Sequence, residues 1–203
     1  PFALNDRGLA YGDGVFETIL VHDGQPVWWE AHWQRMLLGA RVLGIPEPHE
    51  NVVIESCRKL LAGESRSVLK IILTRGSGGR GYLPPANPEP RIILSIHPAP
   101  EIIRGHVSLR WCETRLAQQP LLAGIKHLNR LEQVLARNEW QDPVIFDGLM
   151  CDQDGNVVCA TSANVFAKID GQWQTPIVDR SGIAGIARAW VLKQWPHIRE
   201  ACL

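Results

Sequence analysis

The sequence has no excess of either charge. Its 21 Lys and Arg residues balance 21 Asp and Glu residues, for a formal net charge of zero over 203 residues. That removes the general electrostatic reason to bind nucleic acid or an anionic membrane. No apolar run approaches the length of a membrane span, and no secretory signal pattern opens the sequence. The five cysteines (Cys57, Cys112, Cys151, Cys159 and Cys202) are odd in number and never spaced C-x-x-C. This argues against a disulfide framework or a structural zinc site and for reduced thiols in a cytoplasmic protein. The seven histidines show no H-E-x-x-H or similar spacing, so no metal is expected. No Gly-x-Ser-x-Gly elbow nominates a serine nucleophile. Gly76-x-Gly78-x-x-Gly81 matches the dinucleotide pattern formally, but Tyr82-Leu83-Pro84-Pro85 cannot open the helix that pattern requires. The G-K-[ST] ending of a phosphate-binding loop is missing as well.

What is present reads as a globular α/β chain. Apolar residues make up 45% and charged residues 21%, which is ordinary for a folded domain, and the length allows one large domain or two small ones. Eight tryptophans point to a well-filled core or an interface. Residues 14–22 and 25–29 read as strands around the turn His22-Asp23-Gly24, and in a strand Trp28 and Trp29 would face opposite ways. Helices are expected over 30–43 and 50–62, and strands over 68–74 and 91–97. Pro98-Ala99-Pro100 reads as a linker, which divides the chain into domains 1–104 and 105–203. In the second domain, strands are expected at 107–112, 143–147 and 156–159, with a hairpin around Asp170-Gly171. Helices are expected at 129–140 and 186–195. Pro1 is followed almost at once by Asp6-Arg7-Gly8, and Arg199–Leu203 reads as the middle of an element, so the chain is expected to be incomplete at both ends.

Lys126 stands out. It follows the apolar stretch Leu122-Ala123-Gly124-Ile125 and precedes a helix start for which Asn129 is the expected N-cap. A lysine fixed there and partly desolvated has a lowered pKa, which makes its neutral amine available as a Schiff-base nucleophile or a base. The bland reading is a solvated lysine in a loop. Arg75 and Arg80 flank the glycine-rich loop and suit carboxylate recognition, against the alternative of a solvated surface loop. Gly182–Arg188 places two glycines before a helix, which is either an anion site or simply a tight turn. Arg35, three residues after His32, reads on its own as a surface arginine.

Together these segments resemble the fold-type IV pyridoxal-phosphate enzymes, a group that includes branched-chain and D-amino-acid aminotransferases and aminodeoxychorismate lyases. The residues that carry the resemblance are Asp6-Arg7-Gly8-Leu9-Ala10-Tyr11-Gly12-Asp13-Gly14-Val15-Phe16-Glu17-Thr18, His32-Trp33-Gln34-Arg35, and the motif ending Ala163-Asn164-Val165-Phe166. Two blocks are most similar to the lyase branch: Arg75–Tyr82, and Leu122-Ala123-Gly124-Ile125-Lys126-His127-Leu128-Asn129-Arg130-Leu131-Glu132-Gln133-Val134-Leu135. The resemblance implies a two-domain α/β (α+β) architecture, with a small N-terminal α/β domain and a larger β-rich C-terminal domain that binds the cofactor. It also implies a homodimer, and pyridoxal 5′-phosphate between the domains. Lys126 would carry the cofactor covalently, and Arg35 with the backbone of Ile186 and Ala187 would hold its phosphate. Cys159 and Asn164 would sit among the cofactor-binding residues. Arg80 and Arg75, with Thr18 and Tyr82 lining the pocket, would meet the substrate. The implied reaction converts 4-amino-4-deoxychorismate into 4-aminobenzoate and pyruvate. The alternatives are a fold-type IV aminotransferase or a catalytically impaired relative.

Three departures accompany the resemblance. Cys159 occupies the position where these enzymes usually carry a glutamate that keeps the cofactor's ring nitrogen protonated. Leu20 stands where many relatives have a basic residue. By the resemblance, the segments that would begin the first domain and finish the second are expected to be absent from this sequence.

Overall fold

The computed structural model describes residues 3–203, which divide into two compact units. The first runs through Ile102 and also takes in Lys126–Asn129; the second comprises Ile103–Ile125 and Arg130–Leu203. The sequence reading assigned the lysine segment to the second domain. Its hydrogen bonds, described below, place residues 126–129 in the first.

The first unit contains α1 (Arg7–Tyr11), β1 (Gly14–His22), β2 (Gln25–Pro26), α2 (Trp29–Leu43), α3 (Glu50–Leu60), β3 (Arg66–Thr74) and β4 (Arg91–Pro98). The strands form an antiparallel sheet in the order β2-β1-β3-β4. Alternate side chains of a strand point to opposite faces. On β1 and β3 the residues Val15, Ile19, Val21, Leu69, Ile71 and Leu73 are all buried. They form one core with Trp33, Met36, Leu37 and Ala40 of α2 and Val53 and Cys57 of α3. The intervening residues Phe16, Thr18 and Leu20 lie on the other face, where Thr18 and Leu20 are exposed.

The β1–β2 turn is as expected, with Asp23 and Gly24 both left-handed (φ 48° and 71°), the geometry a two-residue hairpin favours. The expected strand over 25–29 is cut short. Trp28 turns out of the strand at φ 55°, and α2 starts at Trp29. The helical i, i+4 spacing of Trp29 and Trp33 overrides their β propensity: their rings stack at 5.6 Å, and the Trp29 indole donates to Glu50 at 2.8 Å.

Because β2 covers only the far end of β1, the near end has an unpaired edge, and Lys126–Leu128 occupies it. The Phe16 N–H donates to the Lys126 carbonyl at 2.9 Å, and the Leu128 N–H donates to the Gly14 carbonyl at 3.0 Å. Val15 bridges His127 between them. The Asn129 amide donates to the Gly12 carbonyl at 3.3 Å rather than capping the following helix, which starts at Leu131 behind an Arg130 cap.

The second unit contains β5 (Ser108–Trp111), α4 (Leu131–Arg137), β6 (Ile145–Cys151), β7 (Val157–Ala160), β8 (Ala167–Ile169), β9 (Gln172–Pro176), α5 (Ile186–Gln194) and β10 (Arg199–Ala201). Its strands form two three-stranded sheets, β5-β6-β7 and β10-β9-β8. Cys112, Leu116, Ala136, Trp140, Met150, Val158 and Cys159 form its core. The β8–β9 hairpin repeats the left-handed pair, with Asp170 at φ 48° and Gly171 at φ 80°.

Gly14 permits the close approach at the β1 edge. A Cβ there would fall 2.4 Å from the Leu73 carbonyl oxygen and 2.8 Å from Leu128 Cδ1. Gly14→Ala is expected to cost about 1–3 kcal/mol through overpacking, read as a lower urea midpoint. Gly79→Ala, which meets nothing within 4 Å, should leave the midpoint unchanged. Equal midpoints for the two variants would contradict the crowding at Gly14.

Candidate active site

The edge pairing holds the Lys126 backbone through β1. Its side chain is half-buried, with the ammonium 4.3 Å from the centroid of the Phe16 ring. A ring face attracts the cation while excluding water from one side of it. An amine so placed is fixed in position and partly stripped of solvent.

Arg35 lies on α2, one helical turn after His32, so both reach the buried side of β1. There they meet Glu17, a residue only 1% exposed. Arg35 donates from Nε to Glu17 Oε1 at 2.8 Å and from Nη2 to Oε2 at 2.6 Å. His32 Nδ1 lies 2.7 Å from Oε2. Burial alone would raise the Glu17 carboxyl. The hydrogen bonds and charges of Arg35 and His32 outweigh it and hold the group below the ordinary glutamate range. Sequence reasoning passed over Glu17. The signal was its place in the inward register, between Val15 and Ile19, where a lone carboxylate needs a partner.

Arg75 has a different role from the one expected. It is 5% exposed, and its guanidinium donates to Asp13 at 2.7 and 3.1 Å, to the Gly44 carbonyl at 2.7 Å and to the Leu43 carbonyl at 2.6 Å. A group so engaged ties β3 to the end of α2 and is not available to a substrate carboxylate. Arg7 donates to the same Asp13 carboxylate at 2.8 Å. Burial raises the Asp13 carboxyl, but the two arginines overcome this and lower it. Arg7 also donates to the carbonyls of Gly81 and Tyr82, and the Tyr11 hydroxyl accepts from the Gly81 N–H at 2.9 Å. The glycine-rich loop is thus tethered to α1, and no helix follows it. Arg80 and Thr18 are exposed, and Tyr82 is 85% exposed while its ring lies 5.5 Å from that of Tyr11.

In the second unit, Ile186 and Ala187 are the first two residues of α5, behind an extended Gly185 that supplies no side-chain cap. The leading N–H groups of a helix lack intrahelical acceptors and favour an anion. Asn164 buttresses this turn: its amide donates to the Ile183 carbonyl at 2.9 Å, and a Cβ on Gly185 would fall 1.9 Å from its Oδ1. Cys159, on β7, is 8% exposed. Burial pushes its thiol up to about 12, with the nearby Arg130 guanidinium opposing this only in part. It is a neutral thiol at physiological pH, not a charged partner for a cofactor.

The model of the Amino-transferase class IV family matches residues 14–202. An aminodeoxychorismate lyase of Vibrio harveyi is 39% identical over 195 residues, covering 94% of this chain and 72% of the relative. The crystal structure of 4-amino-4-deoxychorismate lyase from Pseudomonas aeruginosa matches with a TM-score of 0.90 at 43% identity, covering 100% of this chain and 78% of the other. A D-alanine aminotransferase of Staphylococcus epidermidis is 29% identical over 196 residues, covering 92% of this chain and 67% of its own. The mixed α/β architecture expected from the sequence is the one these proteins share.

The Glu17 cluster makes an acid-sensitive prediction. A carboxyl lowered in the folded state contributes stability that is fully present above its unfolded pKa, roughly 4.3 for glutamate, and that is lost as pH falls through the lower folded value. Glu17→Ala strands Arg35 and is expected to cost about 3–5 kcal/mol at neutral pH. Glu17→Gln should lose less and flatten the decline of stability between pH 5 and the acid limit. Urea melts across that range check both; a Glu17→Gln slope equal to that of the unsubstituted protein would refute the coupling.

Proposed function

The chain belongs to the class IV aminotransferase family, and from that premise we propose that it is the lyase that converts 4-amino-4-deoxychorismate into 4-aminobenzoate and pyruvate. The observation that carries this reading is Lys126, held by backbone bonds on the edge of β1 with its amine over Phe16, within the block Leu122–Leu135 that is similar to the lyases.

The cofactor we propose is pyridoxal 5′-phosphate. The uncapped first turn of α5, at a glycine where a Cβ would displace the Asn164 amide, fits a phosphate. Ile186 and Ala187 would bind that phosphate through their backbone N–H groups; the resemblance also assigns Arg35 to it, and for that role the arginine would have to reach the phosphate while two of its donors stay on Glu17. Asn164 would hold the turn in shape. When bound, the cofactor supplies an electron sink beside the substrate's amine-bearing carbon. Lys126 would anchor the cofactor until the substrate amine displaces it. The freed Lys126 amine would then take the proton from the amine-bearing carbon, and departure of the neighbouring enolpyruvyl group as pyruvate would leave an aromatic ring. Arg80, exposed on the tethered loop, remains the arginine we assign to a substrate carboxylate, with Thr18 and Tyr82 near it in function. Cys159, a neutral thiol, would not hold a proton on the ring nitrogen as a carboxylate would, so the enzyme would work with a weaker sink, rely on a compensating residue elsewhere, or be impaired.

We further read the protein as a cytoplasmic homodimer. Among the described residues, no helix is long and apolar enough to cross a membrane. Four of the five free cysteines are buried thiols, which suits a reducing compartment. The dimer rests on the resemblance to fold-type IV enzymes.

Three assays test the function. Purified protein mixed with the cofactor should gain a visible absorbance band that Lys126→Ala abolishes. Aminodeoxychorismate should yield fluorescent 4-aminobenzoate, at a rate lowered roughly 10²–10⁴-fold in Lys126→Ala. Conversion of D-alanine and 2-oxoglutarate to pyruvate and a new amino acid, without 4-aminobenzoate from aminodeoxychorismate, would instead establish an aminotransferase. A folded protein inactive in both assays, but restored by Cys159→Glu, would be the impaired relative.

A further inference from the structure

Arg188 stands where two local rules argue against a cation. It is the third residue of α5, and it is only 7% exposed. Burial penalises a charge. The start of a helix already carries partial positive charge, which favours an anion and disfavours a cation. The first turn of α5 contains no acidic residue to offset it. The guanidinium donates from Nη2 to the Pro176 carbonyl on β9 at 2.9 Å and to the Glu200 carboxylate on β10. Glu200 is itself half-exposed, so solvent screens its charge. Arg188 Nε is buried with no acceptor among the described residues. An apolar side chain would pack α5 on the sheet without these costs, so the position departs from the local rule as a functional residue does.

We infer that Arg188 is a positioning residue for the cofactor phosphate, setting the first turn of α5 in the shape whose backbone N–H groups meet that anion. This rests on the proposed cofactor and extends it to a side chain that had no role in the sequence reading. The first bond of α5 runs from the Ala189 N–H to the Gly185 carbonyl at 2.9 Å. The N–H groups of Ile186, Ala187 and Arg188 precede it and have no acceptor within the helix. Their direction is set by whatever holds the turn. Asn164 holds the chain that enters it, through the Ile183 carbonyl at 2.9 Å. Arg188 holds the helix that leaves it, through β9 and β10. The two residues crowd Gly185, where a Cβ would fall 1.9 Å from Asn164 Oδ1 and 3.5 Å from Arg188 Cβ. Charge acts in the same sense as geometry. A guanidinium carried by the first turn adds to the positive end of the helix, and a bound phosphate offsets the cost of burying that cation.

Pyridoxal 5′-phosphate and pyridoxal differ in the phosphate, so a change between variants in the ratio of their dissociation constants isolates the phosphate contact. Both are titrated into the protein and followed by the Lys126-dependent absorbance band. The unsubstituted protein should bind the phosphorylated form roughly 100-fold or more tightly, as two charge-assisted N–H contacts imply. Arg188→Met should cut that ratio roughly 10-fold or more, the loss of one such contact, and leave the pyridoxal constant unchanged. Arg188→Lys should recover part of the ratio. If Arg188→Met does not fold, Arg188→Gln is read in its place. A folded, uncharged variant that keeps the unsubstituted ratio overturns the inference, even if both ligands bind more weakly, because a purely structural tie weakens them together. An unsubstituted protein with no preference for the phosphorylated form overturns it as well. Thermal stabilisation by inorganic phosphate separates the inference from the cofactor reading. If neither ligand produces the band, but phosphate raises the melting temperature and Arg188→Met abolishes that rise, the cofactor reading falls and the role of Arg188 beside an anion stands. Neither band nor rise would sink both.

Discussion

The period-two alternation of β1 is the constraint on which the first unit depends. A strand sends successive side chains to opposite faces, and β1 gives each face a separate task. Val15, Glu17, Ile19 and Val21 point into the core. Glu17 there fixes α2 through Arg35 and His32, so a helix that could slide on an apolar surface is pinned by direction-specific bonds. Phe16 and Thr18 point the other way, toward the face where two lysine amines gather over one ring. The edge of the same strand supplies the backbone partners of Lys126. A one-residue slip of β1 would exchange the two faces and break both arrangements together.

Much of this was legible in the sequence because local chemistry and global structure agree. The two Asp-Gly turns declared their hairpins, the apolar spacing of Trp33, Met36, Leu37 and Ala40 declared α2, and the glycines before Ile186 declared the start of α5. The boundary errors fall where tertiary bonds outbid local preference. Asn129 has the side chain of a helix cap but spends its amide on Gly12. Trp28 and Trp29 have the side chains of a strand but stand at the mouth of a helix.

The candidate site was legible only where a continuous stretch of chain carries the signal. Lys126 and the α5 turn could be nominated from their surroundings in the chain, whereas Arg35 on its own reads as a surface arginine. Glu17 and Asp13 could not be nominated, because their significance comes from residues far away in sequence: Arg35 for the first, Arg75 and Arg7 for the second. Arg75 was misjudged for the same reason. Its guanidinium looks available until Asp13 and two carbonyls from the end of α2 are seen to hold it.

The short excursion of Lys126–Asn129 into the first unit has a consequence for how such a protein can be inherited and rebuilt. Neither unit is one continuous stretch of chain. A single cut after Ile102 would free the first unit but leave its Lys126 strand attached to the wrong piece. Recombination at the apparent linker, which exchanges modules cleanly in many proteins, would here separate Lys126 from the strand that positions it. The two units are therefore expected to evolve as a single heritable block.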